Sequence, residues 1–381
     1  MRLKSALALF IVGLASPSWG GKPYQLMSIG TPLDPPGFVG YHYLATHMSN
    51  DRTIYFTSRA DVATVDERVE AGCFWTPAGG YQYSDRRGYS TTDFSTRIHK
   101  AKGDWSVVWI LDNNSERLMP WSLQKNGVSV MDIPFSTDTK KVNYPTSVNS
   151  MGNFTYSKNA PLQGSNYGFH GYFYQAGQII PLLPVDGYFY SRALQVNDRN
   201  EVLVEMTGKP DDDDARDLYV WSNGVLKKQS ETNSFGLKGR LDDVGGMYGY
   251  YANGLYTLQG QKLTTYPIAL NNFEAIIGDA NNVGSMVIWS DGEDGDGIPV
   301  FCTAFAKGGR YYQPSELFDS PGPELRDFTL LRTNDREDIL VQAWNGNNYE
   351  FFIATPVPEP TTIAVIGAGL AYCLRRRVRS K

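Results

Sequence analysis

Three cysteines and four histidines in 381 residues leave little material for thiol or metal chemistry. His42 and His47 are five apart, which matches neither one helical turn nor one face of a strand, and no Glu adjoins either, so a zincin-type site is excluded. His99 and His170 stand alone in the sequence. Runs rich in Ala, Leu, Glu and Lys are missing outside the two ends, which excludes a mainly helical body. The chain also lacks a Gly-x-Ser-x-Gly elbow, a phosphate loop and a dinucleotide fingerprint.

Basic charge is scarce where it would matter for nucleic acid. The formal net charge is −5, but Arg2, Lys4 and the cluster Arg375, Arg376, Arg377, Arg379 and Lys381 sit at the extremities. Residues 21–360 carry 28 basic residues against 40 acidic ones, a net of −12. A body of that sign repels nucleic acid and anionic lipid.

What is present favours strands. Gly at 38 and Tyr at 24 are high, and hydrophobic residues at 41 % suffice for a core. Such a mixture suits short strands joined by tight turns.

The two ends read as addresses. Met1–Lys4 is a basic leader, Ser5–Leu14 an apolar run, and Ser18-Trp19-Gly20 a small-residue exit ahead of Gly21. That order predicts a cleaved signal peptide over 1–20. At the other end Pro358-Glu359-Pro360 precedes an apolar run to Leu374 and then Arg375, Arg376 and Arg377. As a helix the run from Thr361 to Leu374 reaches about 21 Å, short of a bilayer core of about 30 Å, which suits transient insertion better than a permanent anchor. This tail, 356–381, resembles the PEP-CTERM sorting signal. The resemblance implies exosortase as partner, membrane insertion in transit, and delivery to the outer surface or extracellular matrix of a Gram-negative, exopolysaccharide-producing bacterium.

Between the ends the sequence repeats. Ala193-Leu194-Gln195-Val196-Asn197-Asp198-Arg199-Asn200-Glu201-Val202 leads to Val220-Trp221-Ser222-Asn223-Gly224. Ala269-Leu270-Asn271-Asn272-Phe273-Glu274 leads to Ile288-Trp289-Ser290-Asp291-Gly292. Fainter copies centre on Ser49-Asn50-Asp51, Asn149, Asp243 and Asn334-Asp335, with Asp112-Asn113-Asn114 as a degraded one. Asn-Asp and Asn-Gly pairs are hairpin signals because they tolerate positive φ. The turn positions Asn149, Asn197, Asp243, Asn271 and Asn334 are 48, 46, 28 and 63 residues apart, an irregular period. The units are similar to the HAF-type extracellular repeat, with Asn200 and Glu274 where that family has Gly. The resemblance implies a β-propeller-like body of six or seven units over 21–355. From the residues alone the class is all-β, a propeller or a pair of β-sandwiches.

Few residues suggest chemistry. Asp291, Glu293, Asp294 and Asp296 form the best calcium candidate, though they lack full EF-hand spacing and otherwise read as a hairpin tip. Asp211–Asp214 reads as a solvated loop. Cys73 and Cys302 either pair in an oxidising compartment or stand as separate buried thiols. Exposed aromatics could stack on sugar rings, whereas Trp75, Trp221 and Trp289 read as core. The expectation is a non-enzymatic surface or matrix protein contacting extracellular polysaccharide, with no cofactor unless calcium. A secreted propeller-type glycoside hydrolase or lyase is the alternative.

Overall fold

A computed structural model describes residues 22–35, 42–61, 68–85, 94–112, 121–133, 143–160, 168–231, 240–241, 243, 247–251, 254–257, 262–265, 271–293, 299–308 and 310–357. They form seven antiparallel sheets of four strands each. Blades 1 to 6 take their strands consecutively, from 42–83, 94–132, 143–182, 190–231, 240–265 and 271–312. Blade 7 takes three strands from 326–356 and its outermost from Tyr24–Gly30. Neighbouring inner strands touch in turn, save that blade 5 meets the inner strand of blade 6 through its second strand, Met247–Tyr251; that of blade 7 touches that of blade 1, so the ring closes as a β-propeller.

The strand sequences explain the stacking. A blade inside a ring is covered on both faces, so its middle strands read as continuous apolar runs rather than alternating ones. Val202 and Val204 face the cluster shared with blade 3, while Leu203 between them faces blade 5. Ile339 and Val341 pack toward blade 6, and Leu340 toward blade 1. Phe56 and Phe351, both fully buried, meet edge to face at 5.1 Å across the junction of blades 1 and 7. Hydroxyls join the same interfaces: Gly72 N–H donates to Thr96 Oγ1 at 3.0 Å, Gly171 N–H to Ser191 Oγ at 3.1 Å, and Leu330 N–H to Thr303 Oγ1 at 3.0 Å.

Blade 7 closes the circle with both ends of the body. Tyr24 pairs with Pro356 and the ladder runs to Gly30 opposite Phe351. Val357 N–H donates to Pro23 O at 2.8 Å, so the last strand, Tyr349–Pro356, ends one residue past the boundary expected at 355. The signal peptide and the tail from Pro358 onward, with its arginines, lie outside the described residues. Among the described residues no helix is long and apolar enough to cross a membrane.

The structure re-phases the repeat. Asn271 is the first residue of the inner strand of blade 6 and pairs with Glu293; the turn of that blade falls at Asn281–Ser285. Trp221 lies on the third strand of blade 4 and Trp289 on the second strand of blade 6, so the two are not equivalent. Blade 2 turns at Gly103-Asp104, before Asp112. Measured at equivalent turn residues, Ser150, Asp198, Asp243, Asn282 and Asp335 are 48, 45, 39 and 53 apart, a more even period.

Candidate functional site: the central channel and its belt

Each inner strand runs down the channel and turns outward into the second strand of its blade. In five blades that turn has one construction. In blade 3, Asn149 N–H donates to Asn153 O and Gly152 N–H to Asn149 O. The Asn149 carboxamide oxygen accepts from Met151 N–H at 3.1 Å and Asn153 N–H at 3.0 Å. Asn197, Asn281 and Asn334 do the same in blades 4, 6 and 7, and the Ser49 hydroxyl stands in for the carboxamide in blade 1. The fourth residue is left-handed in every case: Arg52, Gly152, Asn200, Gly284 and Glu337. This is the three-residue hairpin whose last loop position takes αL, where Gly is favoured and Asn tolerated, so Asn200 fills its glycine-type position without breaking the turn. Gly152 is needed twice over, since a Cβ there would also lie 2.8 Å from the Trp105 ring.

The second residue of each turn links blades. Ser150 N–H donates to Asp198 Oδ1, Asp198 N–H to Asp243 Oδ1, Asp243 N–H to Asn282 Oδ1, Asn282 N–H to Asp335 Oδ1, and Asp335 N–H to Asn50 Oδ1. All five distances fall between 2.8 and 3.0 Å. They form a belt around one mouth of the channel from blade 3 through blade 7 to blade 1. A parallel set runs beside it: Asn149 Nδ2 donates to Asn197 O, Asn281 Nδ2 to Asn334 O, and Asn334 Nδ2 to Ser49 O. Asn149→Ala orphans two N–H groups and removes one of the two bonds to the Asn197 carbonyl, which keeps Asn200 N–H. It should cost about 2 kcal/mol, read as a lowered urea midpoint at unchanged slope.

Blade 2 stands outside the belt. Its tighter turn carries no Asn, and Lys102 instead reaches across the mouth to blade 5, donating to Asp243 Oδ2 at 2.7 Å. Burial opposes both charges, yet each partner stabilises the other: Lys102 is held above the usual lysine range and Asp243 below the usual carboxylate range. Gly103 N–H donates to His47 Nε2 at 3.3 Å. Burial, then Lys102 and Arg332, lower the His47 pKa to about 3. Arg332 itself donates to Thr46 O at 3.0 Å and lies 4.9 Å over the Trp289 ring. His99 packs edge-on against Trp121 at 5.2 Å, and burial with Lys100 and Arg97 lowers it to about 4.

The channel holds a cavity of about 920 Å³. Of its lining carboxylates, Asp51, Asp198, Asp243, Asp279 and Asp335 are engaged in holding the fold, while Asp104 pairs with Lys125 at 3.6 Å. Asp335 Oδ2 accepts from Asn50 Nδ2 and Asn282 Nδ2, and Asp279 accepts from Ala280 N–H and Thr333 N–H. Asp51 accepts from the Ser49 hydroxyl and from Thr53 N–H.

The sequence candidates fall elsewhere. Asp291 and Glu293 lie on the second strand of blade 6, with backbones paired to Phe301 and Pro299, while Asp294 and Asp296 lie outside the described residues. Asp212, Asp213 and Asp214 are exposed at the start of a strand. Cys73 is a free, buried thiol pushed up to about 12 by burial. Cys302 sits on the third strand of blade 6, with blade 7 between it and Cys73. Trp75 and Trp221 are buried between blades, as core. Lys102, Arg332 and Arg97 were not foreseen. The visible signal was Arg97-Ile98-His99-Lys100-Ala101-Lys102, four basic-type side chains within six residues of one strand.

No known family matches the sequence, and no curated protein does. Solved structures do match. The β-propeller domain of the Trilobed protease from Pyrococcus furiosus aligns with TM-score 0.39 and 8 % identity, over 75 % of this chain and 98 % of that one. Pyrococcus horikoshii acylaminoacyl peptidase aligns with TM-score 0.48 and 10 % identity, over 88 % of this chain and 55 % of that one. Trypanosoma rangeli sialidase gives 0.37 and 11 %, over 89 % and 60 %. The chain thus spans little more than half of the peptidase and the sialidase. The likeness is one of fold.

Proposed function

We propose that the chain is an exported protein sorted by exosortase, whose propeller serves as a non-enzymatic binding or structural component associated with extracellular polysaccharide. The observation that carries the reading is the engagement of the channel carboxylates. Hydrolysis of a glycosidic bond needs two carboxyl groups facing the substrate, one of them free to give up a proton. Here Asp198, Asp243, Asp279 and Asp335 accept main-chain N–H groups that hold turns and blades in place. The export half of the reading is supported by Pro358-Glu359-Pro360, which begins two residues after the last strand.

Two measurements test it. Replacing Pro358-Glu359-Pro360 by alanines should leave an uncut, membrane-retained product of higher mass; unchanged mass and location sink the sorting reading. The purified full chain should co-sediment with exopolysaccharide without releasing reducing ends. Sustained release would establish the hydrolase or lyase instead.

A further inference from the structure

The channel wall is unevenly charged. Arg97, Lys100 and Lys102 all come from the inner strand of blade 2, and Arg332 stands on blade 7. Lys102 is matched by Asp243, and Arg332 is held by carbonyls and the Trp289 ring. Lys100 also has a partner. Arg97 lines the cavity half-buried, and its side chain makes no hydrogen bond or ion pair among the described residues. Among the described residues lining the cavity, Asp51, Asp198, Asp243, Asp279 and Asp335 are held by the belt and turns, and Asp104 pairs with Lys125. A guanidinium kept in a cleft without a counter-charge retains a fork of donors matched to a carboxylate or sulfate. The cavity has the size of a small-ligand site, which runs from about 300 to 1,000 Å³. Lys102 crosses its turn-side mouth.

We infer that the channel binds an acidic sugar unit of the polysaccharide, its anionic group seated on Arg97 with Lys100 adding to the local field. This rests on the binding reading above and names its ligand class. Two further observations agree. The body is acidic overall, so an anionic ligand would be held by a local patch rather than by bulk attraction. His99 also already feels the positive field of Lys100 and Arg97.

The test is calorimetric titration of the purified full chain with a galacturonic acid trimer, its methyl ester and a sulfated trisaccharide. The free acid should bind at least tenfold more tightly than the ester, and Arg97→Ala should abolish that preference without moving the melting temperature. Arg97→Lys, which keeps the charge but not the fork, should weaken the acid three- to tenfold and serves if the alanine variant does not fold. By NMR, the His99 pKa should rise on binding, because the anion offsets Arg97 and Lys100; a role for Arg97 in packing alone would not move it. Preference for the sulfated sugar with the same Arg97 dependence also supports the site and sets its anion. Equal binding of acid and ester, or a preference surviving in Arg97→Ala, overturns it. Undiminished co-sedimentation of Arg97→Ala with exopolysaccharide would leave the binding reading standing and sink this one.

Discussion

Asp338→Ala should destabilise the propeller by on the order of 3 kcal/mol, the lower end of the range for removing one partner of a buried ion pair. Asp338 is fully buried at the junction of blades 7 and 1. Arg52 donates to its two oxygens at 2.9 Å each, and Asn334 Nδ2 donates at 3.1 Å. Arg52 is only partly buried, its side chain 28 % accessible, so the stranded guanidinium can recover some hydration. Bidentate geometry makes this pair unlike an ordinary surface salt bridge. Equilibrium urea unfolding of Asp338→Ala, Arg52→Ala and the double variant would measure the coupling. A double variant no worse than either single one is expected; strict additivity would show that the two groups act separately.

Deleting Tyr24–Gly30 should have a larger effect, above about 5 kcal/mol from lost ladder bonds and lost burial together. It removes the outer strand of blade 7 and with it Tyr24, which packs edge-on against Phe305 at 6.0 Å. It also bares the edge of the strand carrying Phe351, Phe352 and Ile353, a row of unpaired main-chain groups that invites association. Loss of the cooperative melting transition and elution as aggregates are expected, with partial recovery when a synthetic 22–31 peptide is added. A soluble monomer with the parental melting curve would show that the ring closes without this strand.

Legibility differed from element to element for physical reasons. Asn197 and Asn334 announced their turns because the side chain that caps the turn is the residue read in the sequence. Asn271-Asn272 looked the same but opens a strand, since a carboxamide marks a turn only where the neighbouring backbone offers it donors; in blade 6 those donors surround Asn281. The turn of blade 2 was overlooked because Gly103-Asp104 is a shorter hairpin without the capping residue. Nothing local marks Tyr24–Gly30 as part of blade 7, since its partner is the last strand of the body. The all-β class was readable because short strands joined by tight turns leave Gly, Asn-Asp and Asn-Gly pairs and recurring aromatics in the sequence. The channel site was not, because Lys102 and Asp243 meet only when blades 2 and 5 face each other across the ring.

The belt has a consequence best put in the language of assemblies. Each turn offers a donor on one side and an acceptor on the other, so the contact between blades is head-to-tail, and such contacts either close by rotation or propagate as an open filament. Six blades join in this way, and blade 2, the unit without the linking turn, leaves a gap in the cycle and is tied to the belt instead by Lys102 across the mouth. The blades thus behave as covalently strung protomers in a pseudo-cyclic ring. With Pro23 and Val357 already hydrogen-bonded to each other, joining them and opening the chain between two other blades would give a circular permutant with the same ring.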